Sequence, residues 1–369
     1  MTEPISPGQF LREKIEGKGW TQSDLAYAIG TKPAAINQIL ADKRSVSHNM
    51  ARALGVALDF DPVLIAKVQA EWDLASAVEP DPSVAARSKI LSKYPLREMT
   101  KRGWVDPEHG QGTLEEQVCR FFGVQSLDEV PHLKHSAKKT SYDDAIQPTQ
   151  LAWLYRVRKI ASEMQTPSYS KQKLQDALAE LSALRAQPDG VRHVPRALQD
   201  AGVRFVVVEG LPNSKIDGVC FWLDAHSPVV GMSMRFDRVD NFWFVLRHEC
   251  AHVLHGHGRE AAILDVDLDG NDASSVSEEE RVANAEASDF CVPAKKMDSF
   301  YLRKKPYFAE REVLAFAKRI ETHPGMVVGQ LQRRMGRYDF LRKHLVKVRE
   351  TLAMAMMMDG WGDSIPTER

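Results

Sequence analysis

Residues 242–257, FWFVLRHECAHVLHGH, set the pentapeptide His248-Glu249-Cys250-Ala251-His252 inside an apolar run of helical period. On a helix, side chains four apart share one face about one turn along the axis, so the two imidazoles can converge on a single cation. Glu249 then projects beside that cation, where a carboxylate can take a proton from a metal-activated water and pass it to a leaving amine. An H-E-x-x-H string also recurs by chance, and a buried helix with hydrogen-bonded core histidines is the alternative. The surroundings count against it. A helix core seldom spends two histidines and a glutamate where Phe244, Val245 and Leu246 would otherwise continue an apolar face.

At 369 residues the chain exceeds one ordinary core, and two or three domains are expected. A hydrophobic share of 43% and a charged share of 27% belong to a folded protein, not a disordered one. The net charge of −1 supplies no overall field towards nucleic acid or membrane, so any DNA contact must come from a local patch. Cys119, Cys220, Cys250 and Cys291 are dispersed, which fits a reducing compartment and argues against a thiolate metal cage. Cys250, between Glu249 and Ala251, reads as packing, not as a nucleophile. The start MTEPISPGQFLREKIEGKGW is polar, and the apolar patch LAMAMMM is too short to span a bilayer. A cytoplasmic chain with no membrane partner is expected.

The first 75 residues read as a small helical domain. Phe10, Leu11 and Ile15 stripe a first helix; Thr21 caps a second with Asp24 three residues on; Gly30 supplies a turn. Thr31 is expected to cap a third helix that starts with Pro33 and buries Ile36, Ile39 and Leu40. That leaves Gln22, Thr31, Lys32, Ala34, Asn37 and Gln38 as candidate DNA contacts, with Lys43 and Arg44 placed for phosphate. Through WTQSDLAYAIG, AINQIL and VQAEWDLASA the segment resembles the Xre/Cro-type helix-turn-helix, and more closely the HigA-like antitoxins. The resemblance implies operator binding; dimerising, or merely holding a partner, is the alternative. Acids such as Glu13, Glu16 and Asp24 roughly cancel the bases here, which points to a weak or dimer-dependent binder.

Glu79-Pro80-Asp81-Pro82-Ser83 marks a break. Helical patterns around 91–101, 114–122, 149–164 and 171–185 follow, with polar gaps at 134–148 and 186–195. Phe121, Phe122, Trp153 and Tyr155 are read as helix packing. Three β-rich runs, 203–208, 218–223 and 229–234, precede the histidine helix, and an edge strand beside it could pair with an extended peptide.

A mononuclear catalytic zinc takes three protein ligands and keeps one position open. The third ligand has several candidates. Glu280 opens a second helical pattern, although Ser277 with Glu280 also spells a capping box. His255 shares the face of His248 but lies a further turn away, and the histidine position of the longer H-E-x-x-H-x-x-G-x-x-H pattern is Gly258. Asp240 and Asn241 read as caps for the site helix, and His257 as a solvated helix-end cation.

From DGVCFWLD through PVVGMSMRFDRVDNFWFVLRHECAHVLHGH to EERVANAEASDFCVP, residues 195–295 resemble the ImmA/IrrE metallopeptidases. Glu280, Ala283, Asn284 and Pro293 fit that family's E-x-x-A-N pattern and closing proline; Glu286 departs from it, and Glu279 is the fallback ligand one register away. The resemblance implies Zn2+ held by His248, His252 and Glu280, with Glu249 as general base and His255 and Asn284 in supporting or transition-state roles. It also implies a gluzincin-like endopeptidase that cleaves a helix-turn-helix repressor in a stress, phage or toxin–antitoxin circuit. The rival is a HigA-like antitoxin and autorepressor that binds a toxin and keeps a structural or inactive zinc site.

The expected architecture is multidomain and mainly α. It runs from a helix-turn-helix domain (1–78) through a helical connector (84–193) to an α+β zincin-like core (194–295) with a short antiparallel sheet, and ends in a helical region (296–369). Helices are expected over 311–320, 327–335 and 338–356, with Arg333, Arg334, Arg337, Arg342 and Lys343 as a solvated basic face and a disordered tail from Asp359.

Overall fold

A computed structural model describes residues 4–81, 83–126, 129, 135–137, 146–268 and 277–367. The chain divides into two compact units, Met1–Val84 and Ala85–Arg369.

The first unit holds α1 (Pro7–Gly17), α2 (Gln22–Ala28), α3 (Pro33–Leu40), α4 (His48–Leu58) and α5 (Pro62–Ser76). Leu11, Ile15, Leu25, Ala26, Ile36 and Leu54 are among the side chains that close its core. Thr21 caps α2 with both halves of a capping box, and Gly30, at φ 68°, makes the turn into α3. Thr31 does not cap α3. Lys32 holds that position without a side-chain cap, because Pro33 in the first turn presets the helical backbone and needs no N–H partner. Gln22, Lys32, Ala34, Asn37, Gln38, Lys43 and Arg44 are exposed, and Thr31 is half-buried.

From residue 83 the helices are α6 (Ser83–Lys93), α7 (Leu96–Lys101), α8 (Leu114–Phe122), α9 (Pro148–Glu163), α10 (Lys171–Leu184) and α11 (Val194–Asp200), then α12 (Val239–His255), α13 (Glu278–Cys291), α14 (Ala294–Lys304), α15 (Glu310–Arg319), α16 (Pro324–Met335) and α17 (Arg349–Ala353). Among the described residues, no helix is long and apolar enough to cross a membrane. The strands are β1 (His135–Ala137), β2 (Arg204–Val207), β3 (Ile216–Trp222), β4 (Pro228–Met232) and β5 (Ala262–Val266), in the order β1-β5-β3-β4-β2. The expected antiparallel pairing holds for β5, β3 and β4. The outer strands pair parallel, β1 with β5 and β2 with β4, so the sheet is mixed.

Both faces of this sheet are covered, so β4 is buried at every position. Phe205, Val207, Cys220, Val230 and Met232 pack with Phe242, Val245 and Leu246 of α12. On the other side Val206, Val219, Phe221, Val229 and Leu264 pack with Trp153 and Val157 of α9. A methyl group added at Gly231 would come within 2.7 Å of Val219 and 2.8 Å of Val157, which shows how closely α9 lies on the sheet. The Trp153 indole donates to the Val208 carbonyl at 2.8 Å. Much of the segment read as a connector is therefore one layer of the same unit. Phe121 and Phe122 pack with Trp104, Tyr94 and Tyr155.

Two C-terminal expectations fail. No helix spans 338–356: Leu341 turns left-handed at φ 48°, a 3-10 turn covers Arg342–His344, and α17 has five residues. The backbone between is committed to α12, since Val346 O accepts from Val239 N at 2.9 Å and Asp237 accepts from Val348 N and Arg349 N. Nor is the stretch from Asp359 loose. Asp359 is fully buried, pairs with Arg156 and accepts from the Trp104 indole at 2.8 Å. In the basic face, Arg334 pairs with Asp298, Arg337 with Asp339 and Lys343 with Glu310.

Candidate metal centre

The apolar period of residues 239–255 folds as α12, which Gly256 ends in a left-handed cap. Its first turn carries no side-chain cap: Asp240 pairs with Arg238, so the capping expected of Asp240 and Asn241 is not made. Four residues apart, His248 and His252 bring their Nε2 atoms to 3.1 Å. The next element with a donor is β5. Period-two alternation turns Leu264 towards α9 and Asp265 towards α12, opposite Gly218 of β3. Asp265 Oδ2 lies 3.0 Å from His248 Nε2. α13 supplies the last donor. Ser277 caps it through Glu280 N, but the Glu280 carboxylate turns to the histidines, 3.4 Å from His248 Nε2 and 3.2 Å from His252 Nε2. One ligand atom from each of His248, His252, Asp265 and Glu280 lies within 4.8 Å of the others, all buried.

Glu279, the alternative one register away, points outward, 3.9 Å from His257 Nε2. His255 also stays out of the group. It faces Glu286 at 2.7 Å, which Arg247 also holds at 2.6 Å, so the departure at Glu286 clamps α12 to α13. Asn284 Oδ1 is buried without a hydrogen-bond partner among the described residues and is not one of the four donors. His257 is no solvated cation. Gly256 folds the chain back so that His257 Nδ1 meets His252 Nδ1 at 3.0 Å. Nor is β5 an edge for a peptide, because β1 lies outside it.

Glu249 is fully buried, with the Asp265 carboxylate beside its own. Room for it comes from Gly218, where a Cβ would fall 2.1 Å from Glu249 Oε1. Burial, with Asp265 and Glu280 near, pushes its carboxyl well above the ordinary range. Burial alone would lower His248, but Asp265 and Glu280 outweigh it and bring the imidazole to about 9. Glu280 is driven the other way: burial raises it, and hydrogen bonds to His248 and His252 hold it far below the usual range. Burial lifts the Cys250 thiol to about 12, which removes it as a nucleophile.

Two buried imidazoles and two buried carboxylates, their ligand atoms gathered at one point, make a donor set that could hold a metal ion. Asp265 is the donor that spacing rules miss. Its signal was an aspartate at an inward position of the apolar run AILDV.

Residues 199–334 match the model of the IrrE N-terminal-like domain of peptidase family M78. Residues 11–65 match a helix-turn-helix model. Among curated proteins, virulence-associated protein A' of Dichelobacter nodosus is 31% identical over 80 residues, which is 21% of this chain and 70% of that protein.

Proposed function

We propose, from the match of residues 199–334 to the IrrE-like domain of peptidase family M78 and of residues 11–65 to a helix-turn-helix, that this chain is a DNA-binding regulator that is also a zinc endopeptidase. The observation that carries the reading is the buried convergence of His248, His252 and Glu280 with Glu249 alongside. His248, His252 and Glu280 would hold the ion. Zinc, when bound, supplies Lewis acidity towards a water and the scissile carbonyl. Glu249 takes the proton of the attacking water on its carboxylate and delivers it to the leaving amine. Its enclosure beside Gly218 keeps that carboxylate away from bulk water until substrate arrives. The substrate is a helix-turn-helix regulator, this chain's own first unit included, and the reading draws on the pairing of the two domains in one chain. Gln22, Thr31, Lys32, Ala34, Asn37 and Gln38 face the operator, with Lys43 and Arg44 on phosphate.

A second reading, a DNA-binding antitoxin with structural zinc, is favoured by one observation: four protein donors converge, as in sites with no open position. The enclosed Glu249 favours the enzyme, since a structural site has no use for a proton acceptor.

Metal content and cleavage of co-expressed regulators separate the two. Wild type is expected to carry about one zinc per chain, the number a mononuclear site takes. Glu280→Ala should lose it, and Glu249→Gln should keep it but lose cleavage, by on the order of 100-fold or more. Zinc retained by all three without cleavage would sink the peptidase.

A further inference from the structure

We propose that Asp265 is a fourth protein ligand, so that the resting chain closes its own metal site and substrate must displace this carboxylate. The inference rests on the zinc-site reading above and adds a regulatory step to it.

Three observations carry it. The first is which nitrogen Asp265 faces. A residue that merely orients a ligating histidine bonds to the ring nitrogen remote from the metal. Asp265 lies instead 3.0 Å from His248 Nε2, the atom that also faces His252 Nε2 at 3.1 Å and Glu280 Oε2 at 3.4 Å. The remote nitrogen, His248 Nδ1, has no hydrogen-bond partner among the described residues. His252 shows the contrast: its Nδ1 meets His257, so there the orienting partner sits on the far side.

The second observation is spacing. Tetrahedral zinc with ordinary Zn–N and Zn–O bonds sets its ligand atoms roughly 3.3–3.5 Å apart. The distances around His248 Nε2 run from 3.0 to 3.4 Å, close to that spacing; the set as a whole spans up to 4.8 Å, so its wider pairs would have to draw together around the ion.

The third is the state of the carboxylate. Asp265 is fully buried, its close partners His248 and Glu249 belong to the same group, and pairing of β5 with β3 at Gly218 holds its position in the sheet. A buried carboxylate is costly unless a cation compensates it; the His248 imidazole stands in that place here, and an ion bound at His248 Nε2 would take it over. Three protein ligands leave a position for water; four do not. With Asp265 in place the chain is latent. Activation is the withdrawal of one carboxylate.

The test uses the full chain loaded with cobalt(II), whose visible bands report coordination number, together with water-proton relaxation, which reports exchangeable water on the metal. Wild type should show the strong bands of four-coordinate cobalt and no exchangeable water. In Asp265→Ala an exchangeable water should appear. Affinity for cobalt and zinc should drop at least as far as on losing an outer partner, roughly 10–100-fold. Asp265→Asn keeps the side-chain shape and should weaken binding in the same direction, so it decides the matter if the alanine variant does not fold. Wild-type affinity in both variants, with exchangeable water already on the wild-type metal, would overturn the proposal while Glu280→Ala still loses the ion. A wild-type chain that binds no cobalt or zinc would overturn the metal reading itself, and Asp265 with it.

Discussion

His252 has a different partner on each ring nitrogen. Nε2 faces the donor group, and Nδ1 meets His257 at 3.0 Å. Burial lowers the pKa of His257, which keeps that ring neutral and able to accept from His252 Nδ1–H. His257→Ala should therefore weaken zinc binding by roughly 10–100-fold with the fold intact, as read by competition with a chelator. Unchanged affinity would reduce His257 to packing. At this scale the sequence was legible wherever one helix carried the geometry. His248, Glu249 and His252 are fixed by helical spacing alone. Glu280 needed a family resemblance, because a capping glutamate and a ligand glutamate occupy the same first turn. Asp265 and His257 were not legible. One depends on a strand register and the other on a reversal at Gly256, and neither leaves a fixed interval from His248.

Among the elements, α12 and α13 are joined twice, by the metal group and by the Arg247–Glu286–His255 clamp on the outer surface. The sheet is held from its other face by α9, whose Arg156 reaches the last segment of the chain. That guanidinium pairs with Asp359 and donates to the Ile365 carbonyl at 2.6 Å and to Thr367 Oγ1 at 2.9 Å. Asp359→Ala leaves a buried cation uncompensated, and a loss of about 3 kcal/mol is expected from the urea midpoint. A loss below about 1 kcal/mol, the scale of an exposed pair, would mean that water reaches Arg156. Elements with a clear period, such as α12, α15 and β2 to β4, could be read from the sequence. The last segment could not: GWGDSIP has no apolar period, and it is ordered by one buried ion pair and backbone bonds to Val207 and Glu209. The run 338–356 misled in the opposite sense, since its helical composition is overruled by backbone bonds to the start of α12.

Across the molecule the charge is near balance, −1 overall, but unevenly spread: residues 1–84 hold eight Lys and Arg against eleven Asp and Glu. An acidic DNA-binding unit must depend on a few well-placed cations. With Lys43 and Arg44 as its phosphate contacts, the logarithm of affinity should fall with that of salt by no more than about 2 per bound chain. A slope several times steeper would place the DNA on some other surface. The two units also differ in how much chain each must wait for. Everything that closes the first core lies before residue 66, whereas the second is not complete until Asp359 reaches Arg156 and Trp104. At synthesis rates of roughly 5–20 residues per second that interval lasts tens of seconds. Each nascent chain thus presents a finished helix-turn-helix unit well before its second unit can close, and translation itself sets the order in which the two are completed.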